Sequence, residues 1–371
     1  MNRARFTATV RLLAGAALLG LASVRADAQT STIDPGIVAS DALSADDLQA
    51  IQRHVSEWAP GLGSDDIGRI ATSRQRLSRP LAGTSVAVSF REAYADALLP
   101  ELESLLAGEN IGSRLAALRL AGDLATEGSA ALLTGALEDS DEAVRYFAIG
   151  RIESAFAQAT AQPPALSPET TLELVQSLGE KLASPSALEA DAAVRALGAA
   201  MRLDRAGFDR ARNEAARTLG AGVGRRVRGL SSQTLDESEV IAALNACAAA
   251  RSAVTATGWK PDEGATRELV GLGGDVLAIV FERFINKSMP DTPGRAIDIQ
   301  TVRAAENLLH FARRHHDTLR GSGDTRAPTR LGDLLESGDD RAFQNQALEL
   351  IGRNGQLVRD FAFDPARFVE R

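Results

Sequence analysis

Cysteine is almost missing from this 371-residue chain, which has one, Cys247. A lone thiol can close no internal disulfide, so whatever holds the fold together must be packing. Histidine is scarce, with four residues, and aromatics make up only 4% of the sequence. Among 41 basic residues the lysines are confined to Lys181, Lys260 and Lys287, a bias that codon usage explains and to which we attach no function. No apolar run approaches the roughly 20 residues needed to span a bilayer. The formal charge is −8, which argues against nucleic acid as a partner, because phosphate binding needs a clustered positive surface. What remains is plentiful Ala and Leu within a 44% apolar composition, too apolar for disorder and with little of the β-branched and aromatic content of sheets. The composition predicts helices and almost no strand.

The N-terminus reads as an address. Arg3, Arg5 and Arg11 precede an apolar run from Leu12 to Ala22, and the small-residue site Ala26-Asp27-Ala28 follows. This pattern predicts a signal peptide over 1–28, without the paired arginines of the twin-arginine route. Cleavage there would remove four arginines and Asp27, leaving a still more acidic chain, exported to the periplasm or secreted and with no transmembrane segment.

Along the rest of the sequence, residues 29–83 read as a polar, flexible leader to about residue 43 followed by short helices, one capped by Ser44 and running through Trp58 and one capped by Ser64 and running to about Ser78. Ser85 to Phe90 alternates weakly and suggests a short extended piece. From Arg91 on, the apolar period is helical. Within 84–205 the sequence superposes on itself at a shift of 31, matching Leu102 with Leu133, Leu106 with Leu137, Arg114 with Arg145, and Ala117 with Ala148. A looser third copy pairs Val194-Arg195 with Val144-Arg145, fifty residues on, with Ser184, Ser186 and Glu189 as cap signals. In the best copy, Asp139 and Asp141 form an acidic turn, with Asp139 as the expected cap and Glu142 as its capping-box partner. Val144, Ala148 and Ile149 then share one helical face.

That copy resembles a HEAT repeat, especially the short form of the phycobilin-lyase group, in which an acidic turn precedes a Val-Arg pair and a spaced Ala. The resemblance covers about 100 residues. It implies an all-α, HEAT-like superhelix of stacked antiparallel helix pairs, in which Arg145 meets acidic turn residues in a structural ladder. It also implies a scaffold that binds another protein through its concave or edge surface. The residues by themselves leave an irregular helical bundle open. Region 206–371 predicts helices at about 206–219, 236–256, 263–286, 295–316 and 341–361, either continuing the solenoid or forming a separate bundle.

Candidate sites are few, and none is catalytic, since no nucleophile elbow, metalloprotease or Ser-x-x-Lys pattern occurs. Gly220, Gly222 and Gly224 before Arg225, Arg226 and Arg228 suggest an anion-holding loop or a helix stopped by glycine. Glu306 and His310 at i, i+4, with His315 and His316 beyond, suggest metal ligands or a cationic helix end. No cofactor is implied. A ligand-binding role through these two clusters, for a small molecule, a metal or an anionic envelope polymer, is the alternative to the scaffold.

Overall fold

The computed structural model describes residues 32–83, 85–161, 163–230, 236–256, 258–290, 294–321 and 328–369, and Ile33–Arg371 forms one compact unit. The proposed signal peptide lies outside the described residues. The helices are α1 (Pro35–Val38), α2 (Ala45–Trp58), α3 (Ile67–Ser78), α4 (Val88–Leu106), α5 (Ile111–Leu124), α6 (Glu127–Ala136), α7 (Glu142–Ala161) and α8 (Pro168–Lys181). They continue as α9 (Ala187–Met201), α10 (Asp209–Gly229), α11 (Glu237–Thr255), α12 (Glu263–Ile285), α13 (Gly294–Leu319), α14 (Leu331–Ser337), α15 (Asp340–Ile351) and α16 (Gln356–Phe361). An isolated bridge between Thr126 and Ala165 is the extent of β pairing among the described residues.

The helices start where the chain offers acceptors for their free N–H groups. Ser44 and Asp47 form a reciprocal capping box on α2, and Asn110, Thr126, Ser167, Ser186, Asp236, Asp262 and Asp339 each accept a bond from the first turn of the helix that follows. Such caps are worth about 1 kcal/mol apiece. At α7 the cap is Asp141, whose carboxylate accepts from Ala143 N, while Asp139 accepts from Asp141 N and shapes the turn before it. The cap therefore sits two residues later than the sequence pattern predicts.

Packing joins these helices in two parallel ladders. The first helix of each pair stacks in the order α2, α4, α6, α8, α10, α12, and the second in the order α3, α5, α7, α9, α11, α13, with the two helices of each pair packed against each other. The stacking runs from the region of clear repeats into α10–α13 without interruption. Small residues set the spacing: α9 buries Ala190, Ala192, Ala193, Ala196, Ala199 and Ala200, and a Cβ on Gly122 would stand 3.0 Å from the Arg151 carbonyl of the next helix in its ladder. Alanine and glycine at such points allow backbones to approach and bury apolar surface on both sides of one helix.

Several sequence expectations change here. The leader is ordered from Thr32 onward, with Ile33, Ile37 and Val38 packed on the core and Ala87 N donating to Val38 O at 2.9 Å. Helix α4 starts at Val88, so Ser85–Phe90 is a short connector entering a helix. Helix α10 runs through its three glycines to Gly229, and they mark close approaches to neighbours: a Cβ on Gly220 would lie 2.6 Å from the backbone oxygen of Glu268, on Gly222 2.4 Å from the end of the Leu182 side chain, and on Gly224 2.6 Å from the Asp275 carboxylate. The predicted 341–361 helix breaks between Ile351 and Gln356, giving α15 and α16.

The C-terminal elements cap the stack. Helices α14–α16 and the tail to Val369 cover α12 and α13, and α12 is buried nearly all round, which explains its lack of a polar stripe. Gly271 and Gly274 of α12 face Arg367 and Phe368 of the tail. Asp275, fully buried, is held by Arg228 and Arg367.

Candidate functional site

Where first helices turn into second helices, an edge of charged side chains runs along the stack. Arg114 at the start of α5 pairs with the Asp139 carboxylate in the next turn. Arg145 on α7 donates through Nε to Glu189 at 2.9 Å on α9, and through a terminal nitrogen to the carbonyls of Asp139 (2.8 Å) and Ser140 (3.1 Å). Glu189 is 2% exposed and also accepts from Ser184 Oγ at 2.8 Å. Lys181 pairs with Glu138 at 2.6 Å and holds that carboxyl below its ordinary range. Farther on, Arg226 meets both oxygens of Glu239 and the carbonyls of Leu182 and Ser184. A cleft of about 650 Å³ opens among these groups between the α6–α7 and α8–α9 turns, lined by Glu138, Asp139, Arg145, Lys181, Ser184 and Glu189 among others. Arg145 and Lys181 are both bound to carboxylates, so their charge is neutralised within the protein itself.

The second-helix ladder presents a different surface. Counting from the N-caps Asn110, Asp141, Ser186 and Asp236, the fifth and ninth positions are Leu115 and Arg119, Tyr146 and Gly150, Asp191 and Arg195, and Ile241 and Asn245. All are half-buried or exposed and come from neighbouring helices. Side chains link them across the ladder: Arg195 donates to Tyr146 Oη at 3.4 Å, and Asn245 to Asp191 at 2.7 Å. Tyr146, Leu188 and Ile241 stand out as large apolar side chains exposed to solvent on α7, α9 and α11. A groove of about 440 Å³ follows α7 between Tyr146, Phe147, Gly150, Arg151 and Ala157, with Arg195 of α9 at its side.

Val194 and Arg195 are therefore not in register with Val144 and Arg145. Val144 and Arg145 are three and four residues past their cap; the same places on α9 hold Glu189 and Ala190. Arg195 matches Arg119 instead, and it pairs with Asp191 at 3.4 Å within its own helix. Val144 and Ala148 are buried as helix-facing residues, and Val194 is buried in α9. Asp141 lies exposed at the cap.

The two ligand-like clusters are dispersed by the fold. Arg226 and Arg228 lie inside α10 in the ion pairs described, and Arg225 is exposed on the same helix. Glu306 accepts from Leu331 N and Gly332 N, capping α14, which has no side-chain cap of its own. His310 rests edge-on against Phe311, His315 Nε2 lies 2.8 Å from Pro261 O, and buried His316 packs at a tilt against Phe361. Among the described residues no group of His, Cys, Asp and Glu is gathered as a metal site. Cys247 is wholly buried in α11, and burial pushes its thiol up. No described helix is long and apolar enough to cross a membrane.

No family model matches this chain, and no curated protein matches it. Among solved structures it is similar to a designed armadillo repeat protein, 16% identical, over 70% of this chain and 99% of the other, with a TM-score of 0.38. An engineered protein is 19% identical over 70% of this chain and 97% of its own, at 0.40. A chain of the Pds5–Scc1 complex is 12% identical over 87% of this chain and 56% of its own, at 0.32. With scores this low, the fold class rests on the two ladders of stacked helix pairs. The chain is a HEAT-like α-solenoid. Its candidate site is the open face of the second helices, and the signal for it, large apolar residues five places past a cap, was present in Tyr146 and Ile241 but carried no weight without the register.

Proposed function

We propose that this protein is an exported, non-enzymatic scaffold that binds another protein through the exposed face of its second helices. The observation that carries this reading is the run of exposed Tyr146, Leu188 and Ile241 on consecutive helices of one ladder, beside an unfilled groove. Large apolar side chains on a rigid repeat surface are what a protein interface uses for anchors, and stacked repeats offer them over an extended area. The ligand-binding alternative has less support, because Arg226, Arg228 and Glu306 are consumed by structural bonds.

Export is the part carried by Arg3 to Ala28 alone, and N-terminal sequencing of the protein from its native cell tests it. A mature chain beginning at Gln29 is expected; one beginning at Met1 would contradict it. Scaffolding is tested by replacing Leu188 with a photo-cross-linking residue in the native cell and identifying what is captured. Repeated recovery of the same protein is expected, and recovery of none from a folded chain would count against the reading.

A further inference from the structure

The groove along α7 is formed by a missing side chain. At the ninth position past the cap, α5 carries Arg119 and α9 carries Arg195, while α7 carries Gly150, whose absent Cβ would meet nothing within 4 Å. The gap leaves a trough with the Arg195 side chain on its α9 side. At its wall stands Arg151, stacked on the Phe147 ring with its guanidinium carbon 4.8 Å from the ring centroid. Arg151 Nε is sealed from water and has no hydrogen-bond partner, and among the described residues no carboxylate lies within ion-pair distance of this side chain. Arg119 and Arg195 differ in that each holds a carboxylate one turn away, Asp123 and Asp191. An arginine partly removed from water and bonded to no carboxylate costs free energy that an incoming anion would recover. Burial is also the leading reason the Arg151 guanidinium is shifted below its ordinary range, with Arg119 next and the more distant charges of Asp123 and Glu153 opposing them.

The surroundings define what fits. The lining sets Arg151 and Arg195 against Glu153 alone, a local excess of positive charge in a chain whose formal charge is −8. Tyr146 and Phe147 give the trough an apolar flank. The larger cleft at the turns offers no comparable unpaired group, because Arg145 and Lys181 are bound to Glu189 and Glu138.

We infer that the trough at Gly150 is the docking site for an acidic peptide segment of a partner protein, with a Glu or Asp carboxylate placed between Arg151 and Arg195 and an adjacent apolar residue laid against Tyr146. This rests on the scaffold reading above and narrows it to one site and one partner chemistry. Arginine suits the role because its planar fork binds a carboxylate through two bonds while its face remains on an aromatic ring.

The test uses the full chain and two fluorescein-labelled peptides, Gly-Leu-Glu-Glu-Leu-Gly and its Gln-for-Glu counterpart, titrated by fluorescence polarisation at low salt. Saturable binding of the Glu peptide is expected, weakened about tenfold in the Gln peptide and weakened further by added salt. Gly150→Leu fills the trough where the fold has room, and Arg195→Glu reverses an exposed charge; each is expected to weaken the Glu peptide about tenfold in a chain that still melts cooperatively, with the melt raised slightly by Gly150→Leu and lowered slightly by Arg195→Glu beside Asp191. Arg225→Ala, exposed on α10, is expected to leave binding unchanged. No binding of the Glu peptide, equal binding of both peptides, or full binding by Gly150→Leu would overturn the inference. A partner captured through the Leu188 position whose affinity is unmoved by Gly150→Leu would overturn the site and leave the scaffold standing.

Discussion

Arg145 and Arg195 share an expected role in the sequence and have different ones in the structure, so they make the sharpest comparison at the scale of residues. Arg145 satisfies a buried carboxylate and two turn carbonyls, and its removal leaves Glu189 without its cation. Arg145→Ala is expected to destabilise the protein by about 2–4 kcal/mol, while Arg195→Ala, an exposed one-turn pair, is expected to cost about 0.5 kcal/mol or less. Urea titration of both variants checks this, and similar losses for the two would contradict it. A second residue-scale prediction concerns Asp298, buried beside Arg283 at 2.9 Å, whose carboxyl is pushed up from 3.8 to about 6, chiefly by burial. A carboxyl with a raised folded value binds its proton more tightly in the native state, so its contribution favours folding at low pH and is lost as pH rises from 3.8 to about 6. Asp298→Asn removes that loss. Its stability relative to the parent is expected to climb with pH across this window, by up to about 1.4 kcal/mol per unit, and to be flat above it. Thermal melts at stepped pH values read the difference directly, and a difference that stays constant across the window would contradict it.

Elements show how glycine in this chain serves two opposite purposes. Gly220 is where the backbone of α12 touches α10, with the Glu268 carbonyl 2.6 Å from the place of a Cβ. Gly135 in α6 has nothing within 4 Å. Gly220→Ala is expected to destabilise by about 1–3 kcal/mol through forced separation of the helices, and Gly135→Ala to stabilise by about 0.5–1 kcal/mol through reduced chain entropy. Opposite shifts in melting temperature are the expected outcome, and shifts of the same sign would contradict it. The same contrast explains what the sequence could and could not disclose. Shifted by 31, it matched α4–α5 to α6–α7 because both pairs repeat Leu and Ala at buried positions. Gly220 looked like a stop because nothing local distinguishes a glycine that ends a helix from one that admits a neighbour. Arg195 passed for the partner of Arg145 because Val-Arg recurs at both places, and only the cap at Ser186 reveals that the two differ by five positions. Asp139 was legible as part of the turn, yet its partner Arg114 lies 25 residues back, a relation set by stacking. The groove at Gly150 needed neighbouring helices in register before a small residue could be seen as an opening.

On the scale of the molecule, a stack of helix pairs is stabilised mainly between neighbours, so its open ends are its weak points. Here α14–α16 and the tail supply the C-terminal end, and Arg367 shares buried Asp275 with Arg228. A chain ending at Gly338 uncovers the Gly271 and Gly274 face of α12 and halves the charge compensation at Asp275. It is expected to unfold at lower urea and less cooperatively, with the loss confined at first to α12 and α13, as hydrogen exchange would resolve. An unchanged urea midpoint would contradict that capping role. The central claim is that the exposed face of the second helices binds a protein. Photo-cross-linking from the Leu188 position in the native cell, compared with the same residue placed at exposed Leu48 on the first helix α2, tests it most directly. The account predicts one recurrent partner from Leu188 and not from Leu48; a folded protein that yields none from Leu188, or the same capture from both positions, would contradict it.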